Sequence, residues 1–167
     1  MKSDTIAAIA TALSDAGIGI IRISGPEAIA VANRVVVNKK KEHTLKNWQT
    51  HTIHYGFVEE NGTILDEVMV SVMKAPRSYT TEDTVEINCH GGVLLTKRVL
   101  EAVLHAGARM AEPGEFTKRA FLSGRIDLSE AEAVMDLIQA KNQFSMQASI
   151  KQLRGSVAEK EIGRAHV

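Results

Sequence analysis

The stretch TVEINCHGGVLLTKRVL, residues 84–100, decides the fold because a strand pattern runs directly into a helix pattern. In an extended segment, alternate side chains point to opposite faces. Over residues 84–90 one face would hold Val85, Ile87 and Cys89, and the other Glu86, Asn88 and His90. Residues 93–106 repeat apolar side chains every four positions before Gly107, which predicts a helix.

Toward the N-terminus, β-branched residues between polar and glycine punctuation predict two strands, DTIAAIATA and GIGIIRISG, joined by the tight loop LSDAG. Pro26 then begins a helix that we expect to run through residue 37. Two further strands flank Asn61-Gly62, a dipeptide that supplies the positive φ values of a hairpin turn. This hairpin is the clearest antiparallel pair in the sequence.

Toward the C-terminus, ARMAE (108–112) predicts a returning strand. Pro113-Gly114 opens a short helix that ends near Gly124, with Phe116, Ala120 and Phe121 expected to face inward. Ser129 and Glu132 match a capping box, and the proline-free run after them predicts a helix of about 50 Å. Such a helix would leave the core and start a second, helical domain.

Helices and strands interleave, but the hairpin breaks a βαβ rhythm, so we predict an α+β fold on a mixed sheet. The predicted domains are residues 1–120 and residues 121–167. The final GRAHV follows a charged helix without a stop signal, so we expect the chain to be a truncated piece of a longer protein.

Composition limits the function classes. Lys+Arg and Asp+Glu both count 20, so no global basic field is available to hold nucleic acid. The single cysteine excludes an intrachain disulfide and a cysteine-based zinc site, and it suits a reducing compartment. We expect a cytoplasmic location, since neither a membrane span nor a secretion signal is apparent.

Glu86 is the first candidate site residue. A solvated outer face of the strand would explain it, and so would a cleft in which its carboxylate accepts two parallel N–H bonds from a flat ring. Gly91-Gly92 follows at a helix start, where it could attract an acidic ligand group or simply form a sharp turn. His90 beside these glycines is the one histidine of interest.

For two arginines, as for Glu86, both a structural role and a ligand contact are possible explanations. Arg22 interrupts the apolar run IGIIRIS and needs a partner, either a structural carboxylate or an oxygen of a ligand. Arg125 lies between a helix end and the next helix start, where it could face a site or pair with Asp127 or Glu130. We predict no metal site and no catalytic residue, and the sequence has no P-loop motif.

Several long motifs occur together in this chain: DTIAAIATA, GIIRISGPEA, APRSYTTEDTVEINCHGG, AEPGEFTKRAFLSGRIDLSEAEAVMDLI and QLRGSV. In this order they resemble the N-terminal region of the MnmE (TrmE) family of bacterial tRNA-modification GTPases, from about residue 4 to about residue 161. The resemblance implies a domain similar to folate-dependent aminomethyltransferases, followed by the start of a helical domain. The GTP-hydrolysing G domain, with its GTP, Mg²⁺ and K⁺, would lie outside this chain, which we expect to be inactive as a GTPase.

The resemblance also implies what the protein binds. Arg22, Glu86 and Arg125 would contact 5-formyltetrahydrofolate or a related tetrahydrofolate, with Glu86 on the amino edge of the pterin. The N-terminal domain would form a homodimer. With the FAD-dependent partner MnmG, the full-length protein would modify C5 of the wobble uridine of tRNA. A stand-alone folate-dependent aminomethyltransferase and a dimerisation or tRNA-docking module without folate stay open as alternatives.

Overall fold

A computed structural model describes residues 4–11 and 17–165. The predicted loop LSDAG lies outside these ranges except for Gly17, as do the last two residues of GRAHV. The described residues form two compact units, Met1–Arg125 and Ile126–Val167. We call them the N-terminal unit and the C-terminal unit.

The described strands make one mixed sheet. Its strands are β1 (Ile6–Ile9), β2 (Gly19–Ser24), β3 (Val36–Val37), β4 (Thr52–Glu60), β5 (Thr63–Met73), β6 (Thr84–Cys89) and β7 (Arg109–Met110). They lie in the order β3-β4-β5-β6-β2-β1-β7. Only β1 and β7 pair in parallel; the other neighbours are antiparallel. The α+β class predicted from the sequence is therefore confirmed.

Four α-helices accompany the sheet in the described residues: α1 (Ala28–Val35), α2 (Gly92–His105), α3 (Glu115–Leu122) and α4 (Leu128–Ala165). The first two pack on one face of the sheet and on each other. Their buried side chains join those of the central strands in one apolar core. This arrangement leaves charged and polar side chains of the central strands on the opposite face, which we call the open face.

The alternation predicted for β6 is confirmed. Val85, Ile87 and Cys89 are all 0% exposed, and Glu86 and Asn88 between them are half-buried. Burial raises the pKa of the Cys89 thiol to about 12, so it stays protonated and serves as a packing group.

Three local predictions are wrong. Helix α1 ends at Val35, since Val36 and Val37 pair with β4 as an edge strand. Phe121 is 37% exposed, although Ala120 beside it is fully buried.

The third concerns the start of α4, where we expected Ser129 and Glu132 to form the cap. The helix begins at Leu128, and the carboxylate of Asp127 accepts the backbone N–H of Glu130 at 2.7 Å. Aspartate is a strong N-cap residue because its side chain satisfies an otherwise unpaired helical N–H. The sequence has the same three-residue spacing, D-L-S-E, two positions earlier than the one we chose.

The β4–β5 hairpin turns at Asn61-Gly62, with φ values of 52° and 80°. A Cβ added at Gly62 would meet nothing within 4 Å, so only the backbone conformation would resist a side chain there. We expect Gly62→Ala to lower the free energy of unfolding by about 1 kcal/mol, because alanine is strained at positive φ. Urea unfolding followed by the fluorescence of Trp48 measures this change. Thr63→Ala, an exposed position in the same hairpin, is the control, and equal stability of the two variants would contradict the turn assignment.

Candidate ligand site on the open face of the sheet

Arg22 and Glu86 lie directly opposite each other at the centre of the sheet, on adjacent strands β2 and β6. The Arg22 Nη2 and Glu86 Oε2 atoms are 3.6 Å apart, and the two side chains are 28% and 25% exposed. This separation makes an ion pair and is too long for a hydrogen bond. Of the two kinds of partner considered for Arg22, a structural carboxylate and an oxygen of a ligand, the structure supplies a carboxylate, that of Glu86.

This ion pair leaves hydrogen-bonding capacity unused. Among the described residues, neither the Arg22 guanidinium nor the Glu86 carboxylate forms a side-chain hydrogen bond. A carboxylate has two acceptor oxygens and a guanidinium has five N–H donors. The pair thus offers both donors and acceptors at a partly sheltered position on the open face.

Helix α3 adds an aromatic side chain beside the pair. The Arg22 guanidinium carbon lies 5.5 Å from the centroid of the Phe116 ring, within the range of a cation–π contact. The sequence predicted that Phe116 faces inward, but it did not predict that the ring contacts Arg22. With Glu86 and Arg22, this ring gives the site an anionic group, a cationic group and an apolar wall.

Arg125 lines a different depression in the N-terminal unit. Its backbone N–H donates to the Ala120 carbonyl at 2.9 Å, just after the end of α3. The depression is a cavity of about 410 Å³ that Arg125 lines together with His51, Pro76, Arg77, Ser78 and Tyr79. Neither Arg22 nor Glu86 lines this cavity, so the structure brings two of the three predicted site residues together and places the third separately.

The two places are nevertheless linked through α3. The Tyr79 hydroxyl, at the cavity, lies 3.1 Å from the Thr117 hydroxyl on α3. Thr117 directly follows Phe116, whose ring lies against Arg22. The start of α3 therefore connects the ion pair to the cavity.

The turn at Gly91-Gly92 is occupied by the chain itself. The Asp66 carboxylate accepts the backbone N–H groups of His90 at 2.8 Å and of Gly91 at 3.1 Å. The acidic group that a helix start favours thus comes from β5 rather than from a ligand. The imidazole Nδ1 of His90 is 3.1 Å from the Glu67 carbonyl, so this histidine also has a structural partner.

A cluster of charged side chains that sequence reasoning missed holds α3 in place. Arg119 is only 11% exposed and its Nη1 donates to both oxygens of Glu82, at 3.1 and 3.2 Å. The same atom donates to the Asp4 carbonyl at 2.7 Å, and Nη2 donates to the Asp4 carboxylate at 2.8 Å. This one arginine therefore joins α3 to the segment before β1 and to the loop before β6.

Arg109 and Glu115 extend this cluster to β7. Arg109 Nη2 donates to Glu115 at 2.6 Å, and Arg109 Nε donates to the Asp4 carboxylate. The i,i+4 spacing of Glu115 and Arg119 was visible in the sequence as a helical pair. The partners of Arg119 outside α3 were not, because Glu82 and Asp4 are more than 30 positions away in the chain.

Within the described part of the chain, no group of three His, Cys, Asp or Glu side chains is arranged to hold a metal ion. Likewise, no described helix has the length and apolarity required to cross a bilayer.

The fold defines an α+β class with a mixed sheet, and comparison with known proteins is more specific. The family described as "GTP-binding protein TrmE N-terminus" matches residues 5–125, and the chain belongs to this family.

Among curated relatives, the chain is similar to proteins named tRNA modification GTPase MnmE. It is 61% identical to that of Lachnoclostridium phytofermentans over 96% of this chain and 35% of the relative. It is 56% identical to that of Listeria welshimeri (95% and 34%) and 57% identical to that of Streptococcus thermophilus (92% and 33%). The chain thus spans about a third of the length of the relatives it matches.

The charged cluster predicts a dependence of stability on pH. The hydrogen bond from Arg109 is the main reason that the pKa of Asp4 is lowered from 3.8 to about 2. A carboxylate whose pKa is lowered by folding stabilises the folded state at every pH above its unfolded-state pKa. This stabilisation is lost as the pH falls from the unfolded-state pKa to the folded-state pKa. We expect Asp4→Asn to be less stable than wild type at neutral pH, and the difference to shrink between about pH 4 and about pH 2.

Urea unfolding across that pH range measures this difference. Glu112→Gln, an exposed carboxylate of the same unit, is the control and should match the wild type at neutral pH. A stability difference for Asp4→Asn that stays constant down to about pH 2 would contradict the assignment.

Arg119→Met tests the cluster directly. Removing the cation takes a partner from Glu82 and Glu115, whose side chains are only 18% and 12% exposed, and breaking a buried pair in this way costs about 3–5 kcal/mol. We expect a loss near the lower end, seen as a lower urea midpoint by Trp48 fluorescence. The neighbouring exposed Lys118→Met should change stability by less than about 0.5 kcal/mol, and a similar small change for Arg119→Met would refute the structural role.

Proposed function

We propose that this chain is the N-terminal part of a tRNA-modification GTPase, and that it binds a reduced folate as one-carbon donor and self-associates. Family membership and the names of the relatives support the first part. The observation that carries the second part is the half-exposed Arg22–Glu86 pair, whose hydrogen-bonding groups are unused by the described protein.

The donors and acceptors of this site fit a pterin ring. A carboxylate can accept two parallel N–H bonds from the ring edge that carries an amino group, in the geometry of a bidentate pair. Glu86 would hold that edge, and Arg22 would donate to a ring carbonyl or formyl oxygen. The Phe116 ring beside Arg22 provides an apolar wall for a flat heterocycle. Arg125 would contact oxygen atoms farther along the folate.

In this proposal the chain binds and orients the folate, and the bound folate supplies the one-carbon unit. No catalytic residue is assigned to the chain. These 167 residues contain no P-loop motif. Hydrolysis of GTP, with Mg²⁺ and K⁺, therefore belongs to a G domain outside them. With MnmG, the full-length protein would add an aminomethyl or carboxymethylaminomethyl group to the wobble uridine of tRNA in the cytoplasm.

Apolar exposure on the open face supports self-association. Ile53 on β4 pairs with Ser71, which in turn pairs with Glu86, so the three lie in one row across the sheet. The Ile53 side chain is 64% exposed and that of Tyr55, two positions on, is 47% exposed. Covering these side chains with a second copy would remove apolar surface from water. On α4, Leu137 and Phe144 are 72% and 73% exposed, which supports the proposal that this helix starts a larger helical domain.

Titration with 5-formyltetrahydrofolate by calorimetry tests the folate proposal. We expect wild type to bind, and Glu86→Ala to bind 10- to 100-fold more weakly, since a hydrogen bond to a charged group contributes about 1.5–3 kcal/mol. Glu112→Ala, an exposed carboxylate away from the pair, should keep wild-type affinity.

Other outcomes identify the alternatives. A wild-type chain that gives no heat but sediments as a dimer would favour a docking or dimerisation module without folate. One-carbon transfer by this chain alone would favour a stand-alone aminomethyltransferase. Equal affinity of wild type and Glu86→Ala would refute the assignment of Glu86 as the pterin ligand.

A further inference from the structure

Two cations that have no partner among the described residues line the cavity beside Arg125. In the described part of the N-terminal unit, Arg22, Arg98, Arg109 and Arg119 form ion pairs, and Arg34 donates to the Ala106 carbonyl. Arg77 and Arg125 are the two arginines of those residues with neither kind of partner, and both line this cavity. We infer that the cavity binds the carboxylates of a glutamate tail, so that the protein prefers polyglutamylated folates. This inference rests on the proposed folate function.

The charge of the lining favours an anion with more than one negative group. None of the six residues that line the cavity is acidic, and the two guanidinium groups carry two positive charges at every physiological pH. A guanidinium presents a fork of N–H donors that matches a carboxylate. The volume of about 410 Å³ corresponds to roughly a dozen waters, more than one carboxylate fills.

His51 adds a further hydrogen-bond donor to the cavity lining. His51 is held at φ 61° by a 2.7 Å hydrogen bond from its N–H to the Val72 carbonyl. Its Nδ1 lies 2.7 Å from the Thr50 hydroxyl, which can donate to it. In that tautomer the Nε2 atom carries the proton and is a further donor.

The Arg22–Glu86 pair and the cavity together suit an elongated ligand with two different ends, such as a folate. Reduced folates carry the pterin at one end and glutamate at the other, joined by an aromatic spacer. The start of α3 contacts both places, because the centroid of the Phe116 ring lies 5.5 Å from the Arg22 guanidinium carbon and the Thr117 hydroxyl lies 3.1 Å from the hydroxyl of Tyr79, which lines the cavity. In this inference a ligand with its ring at Glu86 extends along the start of α3 toward Arg77 and Arg125. This connection favours a folate tail over an RNA phosphate backbone as the anion.

Calorimetric titration with the mono- and triglutamate forms of 5-formyltetrahydrofolate tests the inference. We expect wild type to bind the triglutamate about tenfold more tightly than the monoglutamate, which corresponds to one added charge-assisted contact. In Arg77→Gln this ratio should fall below about threefold. Arg154→Gln, an exposed arginine of α4, is the matched control and should keep the wild-type ratio. Wild-type melting temperature of Arg77→Gln verifies that the variant folds.

The outcomes separate this inference from the proposed function. Glu86→Ala should weaken both ligands and preserve their ratio, because it acts on the ring. Equal wild-type affinities for the two forms, or an unchanged ratio in Arg77→Gln, would overturn the tail site and leave folate binding intact. Absence of binding to both forms would overturn both proposals. Loss of affinity for a tRNA anticodon stem-loop in Arg77→Gln, with an unchanged folate ratio, would reassign the cavity to RNA.

Discussion

The central pairing of β2 with β6 is the constraint on which the rest of the structure depends. Apolar side chains of both strands, Ile21 and Ile23 with Val85 and Ile87, are fully buried under α1 and α2. Because side chains alternate along a strand, this burial forces Arg22 and Glu86 to the open face in the same register. A shift of either strand by one residue would expose the apolar side chains of that strand and bury its charged residue. The burial of apolar side chains in the core therefore fixes the position of the Arg22–Glu86 ion pair, which itself lies outside the core.

Helix α3 turns this pair into a site with two parts. Arg119 anchors the helix through carboxylates that come from distant parts of the chain, chiefly Glu82 and Asp4. That anchor positions Phe116 against Arg22 and Thr117 against Tyr79. Charged residues thus have two different roles in the N-terminal unit. The charged residues around Arg119 form ion pairs and hydrogen bonds with one another and hold α3 in place. Arg77 and Arg125 have no partner among the described residues and are available to a ligand.

How far the sequence could predict this site depends on the range of the interactions. Periodicity placed Glu86 opposite the core, and the need for a partner identified Arg22 as unusual. The same reasoning left open whether Gly91-Gly92 attracts an acidic ligand group or only forms a sharp turn, and it did not find that Asp66 of β5 supplies a carboxylate there. It also overlooked Arg77, because one arginine in a loop carries no pattern. Only the folded structure brings Arg77 to the same cavity as residues 51 and 125.

The sequence by itself determined the elements whose signals are local: the alternation of β6, the Asn61-Gly62 turn, helix α2 and the long α4. Each follows from the steric preferences and burial period of neighbouring residues. The tertiary structure alone decided the strand order, the edge strand at Val36–Val37, the partners of Arg119 and the cavity that Arg125 lines. These features depend on contacts between residues far apart in the chain, whose geometry exists only once the sheet has assembled around its core.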